Sequence, residues 1–292
     1  MKISWLFLLV CCANVVSAQV PDSLARIFRY EKQVKMALIV DSTGAQQNVS
    51  IQKIRYSGQD HFVVSALVTT PQTSEGSHPL AVFGHWGEGD KSEFLDQAIA
   101  LSARGFICIL PDGPWLCPNS PITSFKRQGY EMYRQYVMNA RTAIDLAQQQ
   151  FAINNDKIFY IGHSFGCNAA SVLSAVDARV DYFVFMAGAY STVSNIRDST
   201  YPDFVQWRTD DPASFEQWAR RMKNLDAQYY LPYKKAACLI QIADQDEYIS
   251  IAENEQFTNG TPQPKQVRHY NAKHALDSKA AEERLEWMLQ RL

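Results

Sequence analysis

The stretch that most restricts the fold is residues 157–166, KIFYIGHSFG. Ile158–Ile161 is a short apolar run with strand character, and Cys167–Leu173 continues as a helical pattern. Between them stands Gly162-His163-Ser164-Phe165-Gly166, a G-x-S-x-G sequence in a strand-to-helix setting. A turn this tight holds Ser164 in a strained conformation with its hydroxyl raised above the sheet. Gly162 and Gly166 leave room for the turn and for the helix to cross the strand closely. The first turn of the helix presents N–H groups that have no intrahelical partner, directed at developing negative charge. Ser164 is therefore a candidate nucleophile.

The surrounding chain repeats the same grammar. Strand-like runs are expected at Val49–Tyr56, Phe62–Thr69, Leu80–Phe83, Phe106–Leu110, Lys157–Ile161, Tyr182–Met186, Ala237–Ile242 and Gln266–Tyr270. Helical patterns fall at Ser92–Arg104, Tyr130–Phe151, Asn168–Ala175 and Ala280–Leu289, the long one carrying Tyr133, Val137, Ala140 and Ile144 near one stripe. Short buried strands separated by amphipathic helices predict an α/β protein with a largely parallel sheet covered on both faces. Residues 190–233 break the rhythm, being rich in Asp, Trp and Tyr, with a helix expected at Pro212–Met222. This segment reads either as a surface excursion or as a small cap walling a pocket.

The first twenty residues differ from the rest. Lys2 precedes an apolar run of nine, Trp5 to Ala13, and Val16-Ser17-Ala18 supplies small residues before Gln19. This is the pattern of a cleaved signal peptide over residues 1–18, leaving a single domain over 19–292 and predicting a secreted or periplasmic protein. Nine residues are too few to span about 30 Å of hydrocarbon, and no later run reaches eighteen, so no transmembrane anchor is expected. Val10 and Cys11 suit poorly the small positions ahead of a lipidated cysteine. Of the remaining cysteines, Cys108 and Cys238 read as buried thiols, while an oxidising compartment permits one bridge, with loop residue Cys117 a candidate. A formal charge of -2 gives no broad basic footprint for nucleic acid.

Gly162–Gly166 and its setting resemble the α/β-hydrolase superfamily, over roughly residues 50–291. The resemblance is greatest to its dienelactone-hydrolase and prolyl-oligopeptidase-like branches, and the elbow also resembles that of the secreted platelet-activating factor acetylhydrolases. It implies an α/β-hydrolase fold in which serine, acid and histidine follow in that order. Ala237–Ile249 (ACLIQIADQDEYI) resembles the strand and turn that carry the acid. Asp246 aligns best, but Ala243 replaces the glycine usual at the turn, and Asp244 and Glu247 remain alternatives. Val267–Leu276 (VRHYNAKHAL) supplies His274 ahead of the terminal helix, with His269 inside the preceding strand. His163, next to the serine, points elsewhere in such an elbow. The resemblance assigns the oxyanion donors to the N–H of Phe165 and to the loop in Ala81–Asp90, where Trp86 is favoured and His85 is the alternative.

These residues imply a cofactor-independent serine hydrolase acting on small or medium carboxylic esters, a small-molecule substrate. A peptidase or amidase of the prolyl-oligopeptidase-like branch and a non-catalytic binding protein on the same fold are the alternatives. No H-E-x-x-H or other zinc spacing is present, and Gly84–Gly89 lacks G-x-G-x-x-G, so neither metal hydrolysis nor dinucleotide binding is expected. Trp86, Trp115, Phe165, Tyr190 and Trp207 are candidates for an aromatic pocket wall. Glu88, Asp90 and Asp112 are read as solvated loop acids.

Overall fold

In the computed structural model, which describes residues 19–72 and 75–292, strand β6 (Ile153–His163) lies near the middle of a nine-stranded sheet. Its side chains alternate as a two-faced strand requires. Ile158 and Tyr160 enter one apolar cluster, while Phe159 and Ile161 enter the other. Burial on both faces explains why this strand reads as a continuous apolar run rather than an alternation.

The sheet also contains β1 (Leu38–Gln46), β2 (Val49–Ser57), β3 (Val63–Pro71), β4 (His78–Gly84), β5 (Ile107–Pro111), β7 (Tyr182–Met186), β8 (Ala237–Ala243) and β9 (Lys265–Tyr270). Their spatial order is β1-β2-β3-β5-β4-β6-β7-β8-β9. From β5 to β9 every pairing is parallel, while β1, β2 and β3 form an antiparallel wing joined to β5. The chain steps from β4 outward to β5 and then returns across β4 to β6. The crevice at this reversal, above the carboxyl ends of β4 and β6, is where such sheets place a site.

A one-turn helix, α1 (Asp22–Ala25), precedes the sheet, and helices α2 (Leu95–Ser102) and α9 (Ser278–Leu289) cover one face. On the other lie α3 (Phe125–Gln150) and α4 (Phe165–Val176). After β7 come α5 (Thr192–Asp198), α6 (Pro202–Asp210) and α7 (Pro212–Met222). Trp207, Phe215 and Trp218 form the centre of this insertion, with ring centroids 5.1–5.7 Å apart, and Phe125 of α3 packs on Trp218 at 5.3 Å. Residues 190–233 are thus a helical cap with its own aromatic core on the α3 side of the molecule. Among the described residues no helix is long and apolar enough to cross a membrane.

The eight expected strands are all present, and several elements appear that sequence reading did not anticipate, β1, α5, α6 and α8 among them. Almost all of β1 is exposed, so it carries no apolar alternation. It is fixed by pairing to β2 through the two-residue turn Gln47-Asn48, both at positive φ, the geometry of a tight hairpin. Helix α8 (Ile251–Gly260) is mostly polar, but its start carries a legible signal: Ser250 Oγ accepts the Glu253 N–H at 3.2 Å. The proposed leader, residues 1–18, lies outside the described residues. Cys108, Cys117, Cys167 and Cys238 are all buried free thiols, so the bridge considered for Cys117 does not form.

Candidate active site

Ser164 sits between β6 and α4 at φ 53° and ψ −110°, a conformation disfavoured for a residue with a Cβ. Such a residue carries about 1–3 kcal/mol of strain, and the neighbouring packing must hold it. Three glycines make that possible. A Cβ on Gly162 would lie 2.2 Å from the Gly166 carbonyl oxygen, and one on Gly166 would lie 2.1 Å from the Gly84 carbonyl oxygen. The Ser164 N–H donates to the Met186 carbonyl of β7 at 2.8 Å.

The acid and the imidazole come from the ends of the next strands. Asp246, in the turn after β8, faces His274 Nδ1 with both carboxylate oxygens, at 2.9 and 2.8 Å. Its Oδ1 also accepts the Tyr248 and Ile249 N–H groups at 2.8 and 2.9 Å. The Asp246 and His274 side chains are 1% and 6% exposed. Of the three candidate acids, Asp246 is the one that faces the His274 imidazole. Asp244 turns outward to His269 at 2.8 Å, both exposed, and Glu247 accepts the backbone N–H of His274 at 3.2 Å. His274 Nε2 has no partner among the described residues. Its ring lines a cavity of about 260 Å³ together with Ser164 and Phe165, although no hydrogen bond joins the serine to the imidazole in this arrangement.

His163 is drawn into a separate network. Its Nδ1 lies 2.6 Å from Glu93 Oε1 and its Nε2 lies 2.9 Å from the His274 carbonyl oxygen. A carbonyl only accepts, so Nε2 carries a proton and donates it, and a further proton lies between Nδ1 and the carboxylate. The other Glu93 oxygen, Oε2, accepts the Trp86 N–H at 2.8 Å. Glu93 and His163 thereby fasten the loop after β4, the nucleophile turn and the His274 loop to one another. Sequence reading missed Glu93, which carries no motif; only its position after the glycine-rich loop hints at it.

This network corrects one expectation. The Trp86 N–H, favoured as the second oxyanion donor, is occupied by Glu93. The next amide, Gly87, has no partner among the described residues, and a Cβ there would lie 3.8 Å from Phe165 Cβ. The Phe165 N–H opens α4 and has no intrahelical partner. His85, the alternative, braces the loop from within: its Nδ1 donates to the Trp86 carbonyl at 2.7 Å and its Nε2 accepts the Gly113 N–H at 2.7 Å. Burial pushes its imidazole below the usual range, which suits this neutral tautomer. Asp112 is buried and paired with Lys91, and Asp90 accepts the Ser92 N–H, so only Glu88 of the three loop acids lines the cavity.

The pocket wall is partly as expected. Trp86, Trp115 and Phe165 line it, as do Phe125, Met132, Phe204 and Tyr248. Tyr190 and Trp207 do not: Trp207 lies in the cap core, and Tyr190 packs against Gly260. Helix α5 and Phe204 of α6 close one side, so the cap does wall the cavity beside Ser164.

No protein-family model matches the sequence, and no curated protein matches it. Solved structures do. An acetyl xylan esterase from Paenibacillus sp. R4 superposes with TM-score 0.77 at 18% identity, over 92% of this chain and 91% of that one. Acetyl xylan esterase 1 from Thermoanaerobacterium sp. JW/SL YS485 gives TM-score 0.76 at 15% identity, over 93% and 94%. Est1E from Butyrivibrio proteoclasticus, in its ferulic acid-bound form, gives 0.64 at 14% identity, over 79% and 96%. At these identities the likeness is one of fold. The chain has the α/β-hydrolase fold, with a mostly parallel central sheet flanked by helices.

Proposed function

We propose that the protein is a secreted serine hydrolase that cleaves small or medium carboxylic esters through Ser164, His274 and Asp246. The observation that carries the reading is the pairing of His274 Nδ1 with the buried Asp246 carboxylate, which leaves Nε2 free on the cavity that Ser164 also lines. A base fixed at one nitrogen and open at the other, beside a strained serine, is what nucleophilic acyl transfer requires.

His274 Nε2 takes the proton of Ser164 as the hydroxyl oxygen attacks the ester carbonyl. Asp246 holds the tautomer and stabilises the imidazolium. The oxyanion is received by the Phe165 N–H and, in place of Trp86, the Gly87 N–H. His274 then protonates the departing alcohol, and water activated by the same nitrogen releases the acid. His274 relays the proton of Ser164 to the alcohol and then the proton of water to Ser164, while backbone amides meet the oxyanion. Esters are favoured over amides because the structural neighbours named above are esterases, and short acyl groups because about 260 Å³ lies below the usual ~300–1,000 Å³ of small-molecule sites.

The test is active-site titration with an organophosphonate alongside hydrolysis of p-nitrophenyl acetate, butyrate and octanoate by wild type and S164A. One label per chain and short-ester turnover, both lost in folded S164A, is the expected result. A folded wild type that neither labels nor turns over any ester would refute the proposal.

A further inference from the structure

The cavity beside Ser164 has aromatic and aliphatic walls, yet the first turn of α5 sets two buried polar side chains into it. Thr192 and Asn195 line it and are each 8% exposed. Their hydrogen bonds are incomplete in a complementary way. Asn168 Oδ1 accepts the Ala189 N–H at 2.9 Å, which fixes that amide and makes its Nδ2 the donor to Thr192 Oγ1 at 3.0 Å. Thr192 is thus an acceptor toward Asn168, and its hydroxyl proton has no acceptor among the described residues. Asn195 Nδ2 donates to the Tyr248 carbonyl at 3.1 Å, which leaves Asn195 Oδ1 without a donor.

One free O–H donor and one free carbonyl acceptor therefore sit three residues apart on one helix face, a separation at which side chains are neighbours. Buried polar groups are ordinarily paired, and those left open on a cavity mark where a ligand group belongs. We infer that Thr192 and Asn195 recognise a hydroxyl on the acyl part of the substrate, accepting its proton at Asn195 Oδ1 and donating to its oxygen from Thr192. A hydroxyl is the smallest substrate group that satisfies both ends at once.

The acyl side follows from the direction of α4. Asn168, which holds Thr192, lies one turn into the helix that starts at Phe165, about 5 Å deeper than the nucleophile turn. The acyl part is the part that stays bonded to Ser164 after the alcohol has left, so a hydroxyl held beside the nucleophile helix is assigned to it. The inference rests on the esterase reading and adds a substrate class to it: esters of hydroxylated short-chain or single-ring acids.

The test compares matched p-nitrophenyl esters, hexanoate against its ω-hydroxy counterpart and phenylacetate against p-hydroxyphenylacetate. Wild type should favour a hydroxylated member by about tenfold or more in kcat/KM. T192V and N195A should bring that ratio toward one, and T192S, which keeps the hydroxyl, should retain it. Binding of the four corresponding free acids to S164A gives the same comparison without catalysis. A hydroxyl preference in binding with no turnover of any ester would support the pocket and overturn the esterase reading. Turnover of plain esters with no hydroxyl preference in either measurement, or a preference unchanged in T192V and N195A, would overturn the pocket alone.

Discussion

Glu93 joins three loops of the site, so its removal is a sensitive test of how they are held. In Glu93→Ala the Trp86 N–H and His163 Nδ1 both lose their partner, at original distances of 2.8 and 2.6 Å. A hydrogen bond to a charged group is worth about 1.5–3 kcal/mol, and breaking a buried ion pair costs about 3–5 kcal/mol. The Glu93 side chain is 20% exposed against 4% for His163, so water recovers part of the loss on one side only. The expected destabilisation is about 3 kcal/mol, or a fall of about 6–12 °C in Tm at roughly 2–4 °C per kcal/mol for a chain of this size. Glu93→Gln gives a sharper comparison. Its carbonyl still accepts the Trp86 N–H, and its amide donates to Nδ1 of a neutral His163, so it should lose about 1 kcal/mol. Urea unfolding at constant m-value measures both, and kcat/KM on p-nitrophenyl acetate should follow the same order. A Glu93→Ala protein within about 0.5 kcal/mol of wild type, or a Glu93→Gln protein as unstable as Glu93→Ala, would refute the assignment.

Other residues give independent checks. D246N should lower kcat by about 10³–10⁴ with the fold intact, because the imidazole loses its orienting carboxylate, while D244N, altering an exposed pair, should leave the rate within about twofold. Burial raises the Glu253 carboxyl above its ordinary value of about 4.5, so the folded chain holds that proton to higher pH than the unfolded chain does. Its stabilising contribution is full below that value and is lost as pH rises above it; the stability of wild type minus that of E253Q should fall as pH rises above about 4.5 in urea titrations. Cys108, Cys117, Cys167 and Cys238 should react with a thiol reagent only after unfolding, and fast labelling of the native protein would contradict their burial.

How much of this is legible in the sequence depends on whether the signal is local. The buried parallel strands are legible because both faces are apolar. Strand β1 is not, because its faces meet water and only its pairing with β2 defines it. Asp246 and His274 are suggested by position relative to strands, whereas which of the three acids faces the imidazole depends on the turn after β8, which sends Asp244 to His269 and Glu247 to a backbone amide. Trp86 shows the opposite case. The loop is identifiable from its glycines, but which amide stays free depends on Glu93, and that carboxylate is fixed by contacts with residues far along the chain. Thr192 and Asn195 carry no signal at all in sequence, since their meaning lies in which of their hydrogen bonds are missing.

The nucleophile turn itself is less local than its five residues suggest. Gly84 of β4 is in register with Gly162 of β6, and Gly166 crosses above both. A Cβ at Gly84 would lie 2.2 Å from the Tyr160 hydroxyl oxygen and 3.2 Å from Gly166 Cα, so the close approach of α4 to the sheet needs a third glycine from another strand. The strain at Ser164 is therefore borne by the β4–β6 pairing as well as by the turn. Gly84 also begins the loop that carries Trp86 and Gly87. A substitution that pushed α4 away from Gly84 would relax the serine and separate the Phe165 and Gly87 amides in the same movement. Gly84→Ala should accordingly reduce phosphonate labelling and ester turnover together, even in protein whose far-ultraviolet spectrum is unchanged. Full labelling at the wild-type rate would show that the turn holds its strain without β4.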